Sequence, residues 1–317
     1  MIKKLFNMFI FLLLSIFLAA CGANNTAEKA DDNATEGKLI IYTTVFPLLD
    51  FTKKIGGDDV LVKSVYPTGA DAHSFEPTPK DMTDIAEADA FIYTGVGVEG
   101  FVTTALETLK NEKVVPVEAG NGIEYVSVDD HEHRDDEQGD HDHDGIDPHI
   151  WLDPIHSITL AENIKNALVE LNPDSKEMYE TNFQTLKKQL VSLDNEMKQT
   201  VNSANKNEIL VAHAAYGYWE TRYGIRQISI TGFSPSDEPS QKELKKIIET
   251  AEEHNLKYII FEQNIPSKIA ETVQKETKTE SLTLHNLEAV TDKEMEKNED
   301  YFTLMKKNLG TLKKALN

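Results

Sequence analysis

The sequence predicts an α/β protein with two lobes, each built on a parallel sheet, joined by a long rigid helix. In both halves of the chain, short apolar segments rich in β-branched residues alternate with longer amphipathic segments. This alternation is typical of parallel strands that helices cover on both faces. Between the halves, residues 174–203 run without glycine or proline. A helix of that length spans roughly 45 Å, enough to bridge two lobes.

The first half contains four predicted strands, each a short apolar run. They lie at residues 39–44, 60–66, 90–94 and 113–117. Helices are predicted at residues 47–55, 79–88, 98–109 and 155–171, and the last of them ends at the stop signal Asn172-Pro173. These elements assign residues 38–172 to an N-terminal lobe.

The second half has the same plan, although the sequence shows no repeat of fixed period. A connecting helix is assigned to residues 173–204 and a C-terminal lobe to residues 205–317. Strands are predicted at residues 209–212, 227–231, 258–262 and 281–284. Helices are predicted at residues 216–223, 240–254, 266–276 and 300–316.

Residues 1–20 are predicted to be a secretory signal rather than part of the fold. Lys3 and Lys4 precede an apolar run that ends in Ala19 and Ala20. A charged start, an apolar centre and small residues at the end are the three parts of such a signal. The run is short for a helix that crosses a membrane.

The signal ends in the letters LAAC, which resemble the bacterial lipobox. This resemblance implies that Cys21 becomes the lipidated first residue of the mature chain. The alternative is an ordinary signal peptide with an accidental cysteine. Residues 21–37 are small, polar and charged, so they are predicted to form a flexible tether between the lipid and the fold.

Composition limits the classes of partner and of metal site. The formal net charge is −22, which argues against nucleic acid and against a polybasic membrane surface as partners. Cys21 is the only cysteine, so internal disulfides and cysteine-based zinc sites are excluded. A metal site in this chain must therefore use histidine, aspartate, glutamate or water.

Residues 129–147 form an acidic, histidine-rich insertion that is predicted to be disordered. The segment holds ten acidic residues and four histidines, which are His131, His133, His141 and His143. The histidines form two H-x-H pairs among carboxylates, which favours a weak, flexible metal-gathering loop. The alternative is a solvated linker. Ordering such a loop costs conformational entropy, so it is not expected to be the tight site.

Four other segments carry chemistry, at residues 69–79, 147–154, 210–219 and 284–289. Three of them follow predicted strands, where open α/β sheets bind their ligands. They contain His73, His149, His213 and Glu288. Imidazole and carboxylate groups are good zinc ligands, and four of them complete a tetrahedral shell. Taken singly, each histidine could instead be a hydrogen-bonded loop or cap residue.

Together these segments resemble the zinc-specific substrate-binding proteins of ABC transporters, the ZnuA/AdcA type within the TroA-like metal-binding group. The matching motifs are DAHSFEPTP around His73, DPHIWLDP around His149, VAHAAYGYW around His213 and HNLEAV around Glu288. The resemblance covers essentially the whole mature chain. It implies that these four residues hold Zn²⁺ between the lobes and that the long helix connects the lobes.

The same resemblance implies a function in transport without catalysis. A monomer anchored by its lipid outside the cytoplasm, in a bacterium of Gram-positive type, would capture Zn²⁺ and deliver it to an ABC-type permease. Manganese-binding relatives tend to carry a carboxylate at the position of His213 and an aspartate at that of Glu288. Some relatives have a glutamate ligand before the first histidine, but this chain has Ala72 there.

Other classes of function remain as alternatives. A Mn²⁺-binding protein is disfavoured because three nitrogen donors suit zinc better than manganese. A zinc hydrolase would be expected to carry a motif such as H-E-x-x-H, which this sequence lacks. The sequence contains no repeat or extended stalk that would support a primary role as an adhesin. The G-x-G-x-x-G run from Gly95 to Gly100 resembles a dinucleotide-binding turn, but it follows the third predicted strand instead of the first.

Five further polar residues are second-rank candidates. Glu76 is expected to cap a helix or to orient a histidine, and Asp153 and His156 are ambiguous. His285 is expected to be structural, and His254 to lie exposed on a polar helix.

Overall fold

The computed structural model describes residues 37–126, 145–263 and 265–317. The described residues from Leu39 onward belong to one compact unit, which contains two four-stranded sheets. The predicted α/β class is therefore confirmed. The predicted signal, Cys21, nearly all of the tether and the four loop histidines lie outside the described residues.

The first sheet has the strand order β2-β1-β3-β4, and its strands are parallel. The inner strand β3 is buried along its whole length, whereas the edge strand β4 exposes three of its four residues. Pro116 is tolerated on β4 because an edge strand can lack one N–H donor. The strands are β1 (Leu39–Thr43), β2 (Val60–Ser64), β3 (Ala90–Tyr93) and β4 (Val115–Glu118).

The second sheet repeats this topology, with the parallel order β6-β5-β7-β8. The shared order bears out the similar plan that the sequence predicts for the two halves. The strands are β5 (Glu208–Val211), β6 (Arg226–Ser229), β7 (Tyr258–Glu262) and β8 (Glu280–Leu284).

Helices cover both sheets at the places that the amphipathic segments indicate. In the first half they are α1 (Phe46–Gly56), α2 (Pro79–Ala86), α3 (Val102–Leu109), α4 (Pro154–Leu171) and α5 (Lys176–Asn202). In the second half they are α6 (Gly217–Tyr223), α7 (Gln241–Glu253), α8 (Lys268–Thr277), α9 (Asp292–Glu296) and α10 (Tyr301–Ala315). None of the helices in the described ranges is long and apolar enough to cross a bilayer.

Two helices differ from the sequence prediction. Helix α3 begins at Val102 instead of residue 98, because Gly95 and Gly97 adopt positive φ angles of 89° and 84° in a turn that ends the strand. Helix α9 was not predicted, since five residues are too few to show a helical period. Its start is fixed by a capping box between Thr291 and Glu294.

The long helix α5 links the two halves, as predicted. It has 27 residues, which corresponds to roughly 40 Å at 1.5 Å per residue. Its buried face repeats every three or four residues and comprises Tyr179, Phe183, Leu186, Leu190, Leu193 and Met197. That face packs against α1 and α4 from the first half and against α6 and α10 from the second. The core is therefore continuous across the linker.

Hydrogen bonds from the second half also hold the loop that precedes α4. Trp219 donates its indole N–H to the Leu152 carbonyl at 2.8 Å, and Tyr301 donates its hydroxyl to the Trp151 carbonyl at 2.8 Å. The indole of Trp151 in turn donates to the Asn286 carbonyl at 2.7 Å. All of these groups are buried, so the bonds fix one loop of the first half against the second half.

Candidate metal centre

The four residues predicted to hold a metal meet where the loops of the two sheets face each other. His73 lies in the loop between β2 and α2, and His149 lies in the loop before α4. His213 follows β5 by two residues, and Glu288 follows β8 by four. Two residues thus come from each half. His149, His213 and Glu288 are almost fully buried, and the side chain of His73 is 10% exposed.

The three histidine rings converge on one point. Their ring centroids are 5.3 Å apart for His73 and His149, 5.4 Å for His73 and His213, and 4.9 Å for His149 and His213. One ring nitrogen of each histidine lies within 4.8 Å of those of the other two. Separations of this size allow one small cation to contact all three nitrogens, since Zn–N bonds measure about 2.0–2.1 Å.

The carboxylate of Glu288 lies beside two of the three rings. Its Oε1 lies 3.4 Å from Nε2 of His73 and 3.7 Å from Nε2 of His149. Within the described part of the chain, this buried oxygen has no hydrogen-bond partner. The other oxygen accepts the N–H of Ala72 at 3.2 Å. Leaving a buried carboxylate oxygen unbonded is costly, so a cation at this point would satisfy a real deficit.

His149 is oriented by a carboxylate in its own loop. Its Nδ1 and its backbone N–H both donate to Oδ1 of Asp147, at 2.8 and 2.9 Å. The proton on Nδ1 leaves Nε2 free to bind a metal when the ring is neutral. Burial lowers the pKa of His149, but Asp147 and Glu288 outweigh that effect and raise it to about 9. Burial tends to raise the pKa of Glu288, but His149 and His73 outweigh that effect and hold the pKa well below its usual range.

His213 is oriented by a carboxylate from a neighbouring strand. Its Nδ1 lies 2.9 Å from both oxygens of Glu262, the last residue of β7. Its Nε2 lies 2.8 Å from the carbonyl oxygen of Phe233. Both partners are acceptors, so the ring can make both bonds only when it carries two protons. Burial opposes this state, but the charge of Glu262 raises the pKa of His213.

Three side chains that contact the cluster are not among the predicted site residues. Glu262 lies outside the four motifs, whereas Asp147 and Asn286 occur in the motifs around His149 and Glu288. Glu262 could have been found by the rule that points to His213, because it ends an apolar strand at the carboxyl edge of the sheet. No local pattern indicates that the Phe233 carbonyl contacts His213.

Known proteins give this geometry a context. A family model described as "Zinc-uptake complex component A periplasmic" (ZnuA) matches residues 41–315. The chain belongs to the ZnuA family. It is 36% identical over 318 residues to the high-affinity zinc uptake system protein ZnuA of Bacillus subtilis, covering 100% of this chain and 99% of that protein.

Relatives in the ZnuA family differ in length. The chain is 36% identical over 312 residues to zinc-binding protein AdcA of Streptococcus pyogenes serotype M6, covering 95% of this chain but only 59% of that protein. A solved structure, the Zn(II)-bound ZnuA-like domain of Streptococcus pneumoniae AdcA, has a TM-score of 0.74 and 32% identity, with 88% of this chain and 99% of that chain covered. The ZnuA-type fold is therefore confirmed for this chain.

The glycine turn that resembled a dinucleotide site surrounds a buried carboxylate. Glu99 lies at the carboxyl ends of β1 and β3, where it accepts the Thr44 hydroxyl at 2.7 Å and the Thr94 N–H at 2.7 Å. It also accepts the Thr94 hydroxyl. Burial raises the pKa of Glu99, and its hydrogen bonds to Thr44 and Thr94 favour a structural role for the turn.

The second-rank residues have structural contacts. Asp153 caps α4 and pairs with Arg222, and His156 lies 3.7 Å from Asp153. His285 accepts the Leu287 N–H at 2.9 Å, which supports the turn before Glu288. Two other residues differ from expectation. Glu76 is exposed, and α2 is capped by Thr78 instead. His254 was expected to be exposed, but it is half-buried because it pairs with Glu208 at 2.8 Å.

Gly217 packs against the carboxylate of Asp147, which orients His149. A larger residue at position 217 therefore tests whether zinc binding depends on the placement of that carboxylate. A Cβ atom added to Gly217 would lie 2.5 Å from Oδ2 of Asp147. We expect Gly217→Ala to displace that carboxylate and with it His149. Stability should fall by about 1–3 kcal/mol, as for other overpacked sites, and metal affinity should fall several-fold.

Gly310→Ala is the matched control, because an added Cβ at Gly310 meets no heavy atom within 4 Å. In the middle of a helix this change should stabilise the protein by about 0.5–1 kcal/mol. Thermal unfolding and a chelator competition titration measure both variants. Unchanged metal affinity in Gly217→Ala would contradict the dependence of His149 on Asp147.

Proposed function

We propose that this protein captures Zn²⁺ outside the cytoplasm and delivers it to an ABC-type import permease, without catalysing a reaction. The proposal rests above all on the buried Oε1 of Glu288, which has no hydrogen-bond partner among the described residues and lies beside the ring nitrogens of His73 and His149. Membership of a family described as a zinc-uptake component supports it. The curated relatives are named as zinc-binding or zinc-uptake proteins.

His73, His149, His213 and Glu288 are the proposed ligands. Three nitrogens and one oxygen make a donor set that suits zinc better than manganese. Four protein ligands would close a tetrahedral shell, whereas catalytic zinc sites keep one position open for water. The same donor set therefore argues for transport over hydrolysis.

The domain limits and the mode of attachment are also part of this proposal. Residues 1–20 would be removed as a signal, and residues 21–37 would tether the fold to the membrane of a Gram-positive cell. Residues 38–172 and 205–317 would be the lobes, with residues 173–204 as connector. The protein would act as a monomer whose other partner is the permease.

Metal analysis tests the proposed function directly. Protein purified without added metal is expected to hold one tightly bound Zn²⁺ per chain, with weaker ions on the histidine-rich insertion. Deleting that insertion should remove the weak sites and keep the tight one. Calorimetry of both proteins gives the two stoichiometries.

The structure sets where that deletion must end. Asp147 orients His149 and donates its backbone N–H to the Val126 carbonyl at 3.0 Å, which closes the base of the insertion. Removing residues 129–144 keeps both contacts. If this deletion abolished the tight site, or if the intact protein bound no zinc, the division between tight and weak sites would be wrong.

Attachment to the membrane is expected to be independent of zinc binding. Cys21→Ala should release the protein from the membrane fraction and leave zinc affinity unchanged, because the proposed ligands lie far along the chain in the folded unit. Cell fractionation with an immunoblot measures the first effect. A variant that stays wholly in the membrane fraction would exclude lipidation of Cys21 as the anchor.

A further inference from the structure

We propose that Glu262 is a positioning residue that fixes both proposed zinc ligands of the second half, His213 and Glu288. This inference rests on the proposed zinc site. It assigns to one buried carboxylate the task of aiming two ligands from different loops at the same ion.

The contacts of Glu262 with His213 are the first step. Glu262 is 7% exposed, and both of its oxygens lie 2.9 Å from Nδ1 of His213. The ring is therefore held between two equivalent acceptors, which fixes its plane and keeps the proton on Nδ1 when the ring is neutral. A carboxylate at this nitrogen also makes the imidazole a stronger donor to a metal.

Asn286 extends the same network to Glu288. Its Nδ2 donates to Oε2 of Glu262 at 3.3 Å, and its Oδ1 accepts the backbone N–H of Glu288 at 3.1 Å. Between them, Leu287 has a positive φ of 61° although it is not glycine. A side chain in that conformation costs about 1–2 kcal/mol, so the turn depends on such bonds. Glu262 therefore stabilises the turn that aims Glu288.

The charge of Glu262 is the third argument. Its described hydrogen-bond partners are His213, Asn286 and the hydroxyl of Tyr216, at 3.4 Å in the last case. A buried carboxylate is costly unless a positive charge lies close to it, and a zinc ion on the far side of the His213 ring would supply that charge when the ring is neutral.

Glu262→Gln is the decisive variant because it removes the charge and keeps the shape. The amide oxygen can serve His213 and Asn286, and the amide nitrogen can donate to the Tyr216 hydroxyl, so the fold should persist. We expect zinc affinity to fall about 10- to 100-fold, the usual effect of mutating an outer partner of a metal ligand, because a neutral amide leaves the imidazole a weaker donor to the metal. Competition with a chelator measures the affinity, and thermal unfolding of the metal-free protein checks the fold.

Tyr216→Phe is the matched control. It removes another hydrogen bond to the same carboxylate, but Tyr216 donates to no proposed ligand through that hydroxyl. Its zinc affinity should match that of the unmodified protein. The absorption spectrum of bound Co²⁺ adds a readout of ligand geometry, which should change in Glu262→Gln and stay the same in Tyr216→Phe.

Asn286→Ala tests the connection to Glu288. It should weaken zinc binding while leaving the His213 contact intact. Its loss of zinc affinity should not add fully to that of Glu262→Gln, because both changes act on one network. Equal affinity and equal Co²⁺ spectra for Glu262→Gln and the unmodified protein would overturn the role of Glu262. Failure of the unmodified protein to bind zinc would instead overturn the proposed function.

Discussion

Replacing His213 by alanine is expected to weaken zinc binding by more than about 100-fold, since loss of a partner that merely orients a ligand already costs about 10- to 100-fold. His213 is 2% exposed, and its ring centroid lies 4.9 Å from that of His149 and 5.4 Å from that of His73. Its removal would leave Zn²⁺ with three protein ligands. A chelator competition titration at constant pH measures the loss.

The substitution also affects the metal-free protein, so a second variant is needed. Alanine would remove a close donor from the buried Glu262 carboxylate, and breaking a buried charged pair can cost about 3–5 kcal/mol. His213→Gln keeps an N–H that can reach Glu262 but offers no imidazole. It should therefore lose zinc affinity with a smaller loss of stability.

His254→Ala provides the matched control for both variants. His254 also pairs with a glutamate at 2.8 Å and is half-buried, but it contacts none of the proposed ligands through that pair. We expect a small change in thermal stability and none in zinc affinity. If His213→Ala and His254→Ala retained zinc equally well, His213 would have only a packing role.

Zinc affinity is expected to fall steeply as the pH decreases below about 9, near which His149 titrates in the metal-free protein. Zinc needs a neutral ring, so each proton on a ligand competes with the metal. Asp147 and Glu288 raise the pKa of His149, and Glu262 raises that of His213. The competition therefore begins at a higher pH than for a free histidine, with a pKa of about 6.5.

More than one proton should leave for each zinc ion bound at neutral pH. His149 releases one, and His213 releases the proton that its Nε2 donates to the Phe233 carbonyl. Zinc must take the place of that carbonyl at Nε2. Glu288 contributes no proton, because its pKa is held well below the usual range. Calorimetry in two buffers with different ionisation enthalpies counts the protons.

The stability of the metal-free protein should change with pH in the opposite direction to zinc affinity, so that it falls as the pH rises. A group whose pKa is raised by folding contributes stability that is complete below its unfolded pKa and is lost above its folded pKa. His149 therefore stabilises the metal-free fold below about pH 6.5, and this contribution disappears as the pH rises through about 9. Thermal unfolding of the metal-free protein over this range measures it.

Asp147→Asn tests whether the raised pKa of His149, and not a general effect of acid, causes the pH dependence of zinc affinity. Without the carboxylate, the pKa of His149 should fall, and the loss of zinc affinity should begin at a lower pH. The variant should also bind zinc more weakly at high pH, because the ring is less well oriented. A pH profile identical to that of the unmodified protein would show that Asp147 does not set the titration of His149.

The sequence by itself determined the strands, most helices and the four candidate ligands. Hydrophobic alternation is a local signal, so it indicated eight strands and the long helix close to their observed bounds. The motifs around His73, His149, His213 and Glu288 marked four loops. The hydrophobic pattern is least informative where a glycine turn or a very short helix shows no repeat, as before Val102 and in α9.

Only the tertiary structure decided how those loops act together. The parallel order of each sheet brings Glu262 beside His213, although 49 residues separate them in the chain. The packing of the two halves buries Oε1 of Glu288 beside His73 and His149, where no group in the described ranges forms a hydrogen bond with it. Protonation state, ring orientation and charge balance depend on groups within a few ångströms in space. A linear pattern cannot specify those distances, because burial and strand pairing set them over the whole chain.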